Sequence, residues 1–384
     1  MKRQRVVILG STGSIGRSAL EVLAPMREEY NVVGLAGGSR WERLAAQAME
    51  YHPEVLAMTD ATAGKRLATE MGRRFRVLTG HDAMYQLVDL CDFDCVIVGV
   101  VGSIVLPATV RAVERGKRLA IANKECMVVA GSILAPLATE TGAEIIPVDS
   151  EHSAVFQAMH AGRTCDVRRV ILTASGGPFR TWSREQMSAA TLEDALRHPT
   201  WQMGPKITID SATMMNKALE IVEARWLFGL AHDQIDVVVH PESIVHSMVE
   251  FYDGSVMAQL GTPDMRTPIQ YALTYPARLK CPSARLDLTA ARTLHFEAPD
   301  AERFPALRLG HLVAERGGTA GAVVNAANES AVQLFRDGLI RFSEIVPSVE
   351  GVLERHEFVG EPGLEDLMRA DAWAREEVLR CTAC

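Results

Sequence analysis

The stretch Val6-Val7-Ile8-Leu9-Gly10-Ser11-Thr12-Gly13-Ser14-Ile15-Gly16 opens the chain with four apolar residues that run straight into three glycines spaced three apart. An apolar run without alternation suits a strand covered on both faces. Glycines at its end permit a tight turn and let the backbone approach a pyrophosphate. The helix that follows offers unpaired N–H groups and the positive end of its dipole to the anion. The spacing is G-x-x-G-x-x-G rather than G-x-G-x-x-G, and by itself it also serves purely structural turns. Set in a strand-turn-helix at the head of a βαβ series, it points to a dinucleotide.

Outward from that loop the series continues. Strands are expected at Val6–Leu9, Asn31–Ala36, Val55–Met58, Arg76–Thr79, Cys95–Val100, Leu119–Ala122 and Glu144–Val148. Amphipathic segments such as Arg17–Leu23, Trp41–Glu50 and Ile104–Arg115 lie between them. Alternating strands and helices imply an α/β unit, a doubly wound, Rossmann-like parallel sheet over residues 1–149. After Asp149 the rhythm changes. A helix at Ser153–Ala161, a strand at Val167–Ala174, a helix pattern from Ser211 to Phe228 and strands at Asp236–His240, Ile244–Phe251 and Ser255–Leu260 read as a central α+β domain over 150–274. Residues 275–304, with Pro276, Pro282 and Pro299, read as a linker. Residues 305–384 read as a small helical bundle built on Gly321–Phe335, Phe342–Glu354 and Leu364–Leu379.

The second strand refines the cofactor. A dinucleotide site selective for NAD commonly carries an acid about 20 residues after the loop. Here the strand runs into Ala36-Gly37-Gly38-Ser39-Arg40, with no acid before Glu42. Arg40 suits a 2′-phosphate, which favours NADPH. The alternative is a solvated arginine at a helix start.

The chain of 384 residues is 48% apolar and 23% charged, which fits packed domains and excludes a disordered chain. A net charge of −8 argues against a whole-protein nucleic-acid or membrane attachment surface, though not against a local basic pocket. The apolar run after the basic Met1–Arg5 is too short for a secretory signal, and regular structure starts at once, so a cytoplasmic protein is expected. Seven scattered cysteines fit reduced thiols. Cys381-Thr382-Ala383-Cys384 spells C-x-x-C at the chain end, a weak pointer to a metal or redox role.

Pro147-Val148-Asp149-Ser150-Glu151-His152 closes the sheet domain at a strand's carboxyl end, where an α/β sheet binds its ligands. If Asp149 to Glu151 stays extended, both carboxylates point the same way. A third acid lies in Asn216-Lys217-Ala218-Leu219-Glu220, where Asn216 and Glu220 share a helix face. Carboxylates alone suit a hard ion, Mg²⁺ or Mn²⁺, better than zinc. The alternative is a solvated acid pair with a surface Lys217–Glu220 ion pair.

Donors for an anion cluster elsewhere. Thr173-Ala174-Ser175-Gly176-Gly177-Pro178-Phe179 ends a strand in a Gly-Gly turn. Ser211 is expected as N-cap of the following helix, with Asn216 and Lys217 within two turns. Together with His198, these suit a phosphate, though each has a structural reading alone. The segment 176–204, with Trp182 and Trp201 on a polar background, is expected as a lid. The alternative is a rigid loop packed by its tryptophans.

In this order the segments resemble the 1-deoxy-D-xylulose 5-phosphate reductoisomerase family. The match runs through the loop at 10–16, Ala122-Asn123-Lys124-Glu125, Asp149–His152, Ser175–Phe179, Trp201-Gln202-Met203-Gly204, Asp210–Trp226, His240–Ser247, Gly261–Arg266 and Asn325-Ala326-Ala327-Asn328-Glu329. The resemblance implies a homodimeric, NADPH- and metal-dependent enzyme of non-mevalonate isoprenoid synthesis. It would convert 1-deoxy-D-xylulose 5-phosphate to 2-C-methyl-D-erythritol 4-phosphate.

By position, the resemblance makes Asp149, Glu151 and Glu220 metal ligands, and Ser175, Ser211, Asn216 and Lys217 phosphate ligands. Lys124, Ser150 and His198 contact substrate; Lys124, Glu151 and His198 are the catalytic candidates; Trp201 and Met203 belong to the lid. NADPH meets Thr12, Gly13, Ser14, Ile15, Asn123, Glu125, Gly204 and Met265, with Gly38, Ser39 and Arg40 as the 2′-phosphate turn. That turn departs from the common family pattern, in which a basic residue precedes Asn. Two rival readings remain: an NADP-dependent semialdehyde dehydrogenase with Cys126 as its thiolate, and a non-catalytic NADP-sensing module.

Overall fold

A computed structural model describes residues 3–290 and 293–382. Its first compact unit comprises residues 3–126, 134–153 and 264–284. Strands and helices alternate through it in chain order. β1 (Gln4–Leu9), α1 (Ser14–Leu23), β2 (Tyr30–Gly37), α2 (Trp41–Tyr51), β3 (Val55–Met58), α3 (Ala61–Met71) and β4 (Arg76–Thr79) come first. α4 (Ala83–Leu90), β5 (Cys95–Val98), α5 (Leu106–Glu114), β6 (Arg118–Ile121), α6 (Lys124–Thr141), β7 (Glu144–Pro147) and the start of α7 (Ser150–Met159) follow.

The seven strands form one parallel sheet, ordered β4-β3-β2-β1-β5-β6-β7. Val6, Val7, Ile8 and Leu9 are each 0% exposed. Burying side chains of that size contributes about 1.5–3 kcal/mol apiece, which fixes β1 at the centre. α1 covers the sheet with Gly16, Ala19, Leu20 and Leu23, a stripe at helical spacing. The strand order reverses beside β1, so the crevice of this sheet lies at the carboxyl ends of β1 and β5.

The second unit comprises residues 127–133, 154–263, 285–290 and 293–382. It holds β8 (Val167–Ala174), α8 (Arg184–Ser188), α9 (Leu192–Ala195), α10 (Pro205–Ala212), α11 (Met215–Phe228), β9 (Ile235–Val239), β10 (Val245–Phe251) and β11 (Val256–Leu260). α12 (Arg266–Thr274) returns to the first unit, where the Leu273 carbonyl accepts from Tyr30 Oη and Arg118 Nη1, each at 3.2 Å. The tail adds α13 (Ala306–Arg316), α14 (Ala320–Arg336), α15 (Ile345–Arg355) and α16 (Leu364–Thr382). The mixed sheet runs β11-β10-β8-β9, with β8 and β9 parallel and the other pairs antiparallel. α14 is buried along most of its length and forms the centre of the helical bundle. Gly310 lets α13 approach α11, since a Cβ there would lie 2.6 Å from the Ala218 Cα.

Three local expectations change. The helix expected over 211–228 is two helices, broken at Met214, whose φ of 61° ends the first and caps the second. Ser211 therefore sits in the last turn of α10 and is not an N-cap. Asp149 to Glu151 is not extended either, because α7 begins at Ser150 and the Ser153 amide donates to the Asp149 carbonyl at 2.8 Å.

Third, the 176–204 loop holds α8 and α9, each opened by a capping box, Ser183 with Gln186 and Thr191 with Asp194. Its Trp182 end is pinned: Trp182 packs on Phe179 at 4.6 Å, and Arg303 donates to the carbonyls of Arg180 and Trp182. Among the described residues no helix is long and apolar enough to cross a membrane. Cys384 lies outside the described residues, and Cys381 Sγ lies 3.6 Å from Glu377 Oε1.

Candidate active site

The glycine loop sits where the strand order reverses. Gly10 has a φ of +87°, and a Cβ on it would stand 2.6 Å from the Gly99 carbonyl oxygen just past β5. A Cβ on Gly16 would stand 2.3 Å from the Ser11 Cα, so α1 and the loop meet backbone to backbone. Ser11 and Gln47 clamp the turn reciprocally, at 2.8 and 2.9 Å. Thr12 is buried against Gly37, whereas Ser14 is exposed and Gly13 and Ile15 are half-buried at the start of α1. The orphan N–H groups of that first turn suit a pyrophosphate.

Gly38, Ser39 and Arg40 are all exposed at the carboxyl end of β2, with Arg40 as the residue before α2. Arg43, which the sequence reading passed over, donates to the Thr12 carbonyl at 3.3 Å and places a second guanidinium beside the loop. Its place three residues after Arg40, in the first turn of α2, was the available signal. Asn123 caps α6 through the Cys126 amide at 2.7 Å, and its Nδ2 donates to the carbonyls of Val100 and Gly102. Its side chain thus ties down the loop after β5. Met265 precedes α12 in this same unit, near the Asp264–Arg266 pair.

Neighbouring strands deliver the first set of charges. β6 and β7 run parallel, with Lys124 just after one and Asp149 just after the other. Lys124 Nζ lies 2.6 Å from Asp149 Oδ2, and their side chains are only 10% and 15% exposed. Asp149 and Glu151 bring carboxylate oxygens within 4.8 Å of one another, and Ser150 Oγ donates to Glu151 Oε2 at 2.5 Å. Glu151 stands in the first turn of α7, where the helix dipole favours an anion. Glu125 is buried at 4% exposure.

Within the second unit the break at Met214 sets the geometry. Ser211 ends one helix, and Asn216, Lys217 and Glu220 begin the next. Glu220 is fully buried; it accepts from Asn216 Nδ2 at 2.5 Å and from the Lys217 ammonium, which also donates to the Thr173 carbonyl at 2.5 Å. The Lys217–Glu220 pair is thus internal, against the surface alternative. Two charges are kept out of water only where partners and a use for them exist. Glu223, one turn on, is equally buried and had received no role from its motif.

The Gly176–Gly177 turn presses on Ser211: Gly177 has a φ of +65°, and a Cβ there would lie 2.4 Å from the Ser211 carbonyl oxygen. Ser175, just ahead of the turn, faces His198 Nε2 at 3.0 Å. His198 Nδ1 accepts from the amides of Thr200 and Trp201, at 3.1 and 2.9 Å. Its proton therefore rests on Nε2, which donates to Ser175 Oγ and leaves the serine hydroxyl able to donate onward. Trp201 and Met203 are half-buried and Gly204 is exposed ahead of α10; the Trp201 ring stands 6.3 Å from that of His246. Cys126 is 0% exposed inside α6, which removes the accessible thiolate the dehydrogenase reading needs.

Comparison with known proteins places these halves in one family. A model described as 1-deoxy-D-xylulose 5-phosphate reductoisomerase matches residues 6–131, its C-terminal domain model matches 145–228, and a DXP reductoisomerase C-terminal domain model matches 260–377. The enzyme of that name from Heliobacterium modesticaldum is 50% identical over 375 residues, covering 97% of this chain and 96% of the relative. That from Pelotomaculum thermopropionicum is 47% identical over 374 residues, covering 97% of each. Among solved structures, the Zymomonas mobilis reductoisomerase in complex with NADPH superposes with a TM-score of 0.93 at 40% identity over 99% of both chains. A DOX-P reductoisomerase in complex with NADPH, fosmidomycin and magnesium gives 0.94 at 38% identity, over 99% of this chain and 98% of that one.

Proposed function

The chain belongs to the 1-deoxy-D-xylulose 5-phosphate reductoisomerase family, and on that premise we propose how its own residues carry the reaction. The enzyme converts 1-deoxy-D-xylulose 5-phosphate to 2-C-methyl-D-erythritol 4-phosphate with NADPH and a divalent metal ion, in isoprenoid precursor synthesis. The buried Asn216–Lys217–Glu220 cluster carries the assignment of roles, because it joins an acid of the ligand set to donors for the phosphate within one helical turn.

Asp149, Glu151 and Glu220 are the proposed ligands of the ion. The donor set fits: all oxygen, anionic and held by neighbouring ammonium or amide groups, it suits Mg²⁺ or Mn²⁺. When bound, such an ion acts as a Lewis acid toward the ketone and adjacent hydroxyl oxygens of the substrate. The favoured course is retro-aldol cleavage, aldol closure to a branched aldehyde, and hydride reduction.

Ser175, Ser211, Asn216 and Lys217 grip the substrate phosphate at the far end. Grip on a non-reacting group supplies binding energy for orienting the reacting carbons. His198 passes its Nε2 proton's hydrogen bond to Ser175, so the serine hydroxyl is turned toward the anion. Trp201 and Met203 cover the sugar and exclude water. Lys124, against Asp149, donates to the substrate oxygens and steadies charge as the carbon skeleton shifts, with Ser150 beside it. The first turn of α1 would hold the NADPH pyrophosphate at the carboxyl ends of β1 and β5, and Arg40 and Arg43 would supply cations for its 2′-phosphate.

We also propose a homodimer. The edge strand β11 leaves Val256, Met257 and Leu260 37–49% exposed, and Tyr252 beside it 70% exposed. An apolar unpaired edge of that kind calls for a partner strand. A cytoplasmic location accords with the reduced cysteines. The deciding experiment follows NADPH absorbance with 1-deoxy-D-xylulose 5-phosphate, with and without a chelator. Chelator-sensitive oxidation is expected; none with any sugar phosphate, despite tight NADPH binding, would favour a sensing module.

A further inference from the structure

Asn328 belongs to a segment, Asn325-Ala326-Ala327-Asn328-Glu329, that none of the roles above uses. It lies on α14, 0% exposed, and its Nδ2 donates to Asp210 Oδ1 at 2.9 Å. Asp210 is itself 1% exposed on α10, with its other oxygen 2.8 Å from Lys206 Nζ. The Asn328 Oδ1 is buried without a hydrogen-bond partner among the described residues. A buried amide that satisfies its donor and strands its acceptor needs an explanation. The carboxylate supplies it, since the flipped amide would set oxygen against oxygen.

The consequence lies one residue away. Ser211 follows Asp210, and the Thr213 hydroxyl, which donates to the Asp210 carbonyl at 3.1 Å, accepts from the Met215 amide at 3.2 Å. The rotation of α10 about its axis therefore sets where Ser211 points and how the chain turns into Asn216 and Lys217. α10 has only eight residues, and the chain turns away two residues past its end at Met214, a non-glycine residue in the left-handed region, so its own hydrogen bonds fix it weakly.

We propose that Asn328 is a positioning residue for the phosphate end of the substrate site, acting through Asp210 on the rotation of α10. This rests on the phosphate roles of Ser211, Asn216 and Lys217 given above.

The test is steady-state kinetics of the full-length enzyme as Asn328→Asp, as the exchange Asp210→Asn with Asn328→Asp, and as Lys217→Ala. The single variant sets two carboxylates together. Its KM for the sugar phosphate is expected to rise on the order of tenfold or more, with KM for NADPH little changed. The exchange restores an amide-to-carboxylate bond in reverse and is expected to recover most of the loss. If Asn328→Asp does not yield folded enzyme, Asn328→Ala, which keeps the Lys206 pair, is expected to show the same split at smaller size. An unchanged sugar-phosphate KM, an equal rise in both KM values, or an exchange no better than the single variant overturns the proposal. If Lys217→Ala raises the sugar-phosphate KM and Asn328→Asp does not, only the positioning role falls. If Lys217→Ala leaves it unchanged, the phosphate assignment falls, and the proposal with it.

Discussion

Lys217 and Glu220, one helical turn apart on α11, form an ion pair inside the protein, with side chains 4% and 0% exposed. Each residue thereby fixes the other, so an acid assigned to the metal and an ammonium assigned to the phosphate respond together to substitution. Removing the ammonium strands a buried carboxylate, which typically costs about 3–5 kcal/mol, whereas removing both charges costs less. Lys217→Met is expected to lower the urea midpoint clearly, and the double variant Lys217→Met with Glu220→Gln less so. A double variant as unstable as the sum of the singles would show the two groups to be independent.

Glu220→Gln keeps the shape and the Asn216 contact but removes an anion from the proposed ligand set. Turnover is expected to fall by a factor on the order of a thousand, with NADPH binding, followed by fluorescence titration, unaltered. Near-normal turnover refutes the metal assignment.

The Gly176–Gly177 turn holds β8 against the end of α10. Gly177→Ala places a Cβ 2.4 Å from the Ser211 carbonyl oxygen at a φ of +65°. Strain of at least about 1–2 kcal/mol is expected, read as a lower thermal midpoint. A rise in sugar-phosphate KM should accompany it, because relief requires moving Ser211. An unaltered midpoint and KM would show that the turn tolerates a side chain.

Two histidines of the helical bundle make stability fall with acid. Burial pulls His311 below its ordinary value, and burial aided by Arg316 does the same to His356, whose Nε2 faces Thr319 Oγ1 at 2.7 Å. The folded protein keeps these rings neutral, whereas the unfolded chain takes up protons as pH falls below 6.5. Their contribution is complete above that pH and is lost as pH falls through the depressed folded values. Calorimetric midpoints should drop between pH 7.5 and 5, and His356→Asn should shrink the drop. An unchanged slope in that variant would place the acid sensitivity elsewhere.

Charge on the β11 edge tests the homodimer. Val256→Lys with Met257→Lys should give a monomer by light scattering at micromolar concentration, since paired lysines block strand addition. A dimer surviving both would put the interface on another surface.

The inner strands of the N-terminal sheet, such as β3 and β5, were legible because each is a short run buried on both faces, a pattern neighbours in sequence impose without help. The glycine loop was legible for a related reason: its close approaches, Gly10 to Gly99 and Gly16 to Ser11, forbid a Cβ. The oxygen-only residue types at Asp149, Glu151 and Glu220 make them an expected hard-cation ligand set from the chain alone, and that set is the one proposed above.

The sequence pattern did not show the break at Met214, because a methionine in a left-handed conformation carries no local signature; packing holds it there. Nor did it show that Lys217 and Glu220 are an internal pair, since i, i+3 charges look the same on a wet helix face and in a core. Asn328 was readable only as part of a motif. Its contact with Asp210 spans 118 residues, and only the packing of α14 against α10 brings that donor to that carboxylate. Patterns of burial and steric prohibition are local and so are written in the chain, whereas the partner of a buried charge depends on which elements the whole fold stacks together.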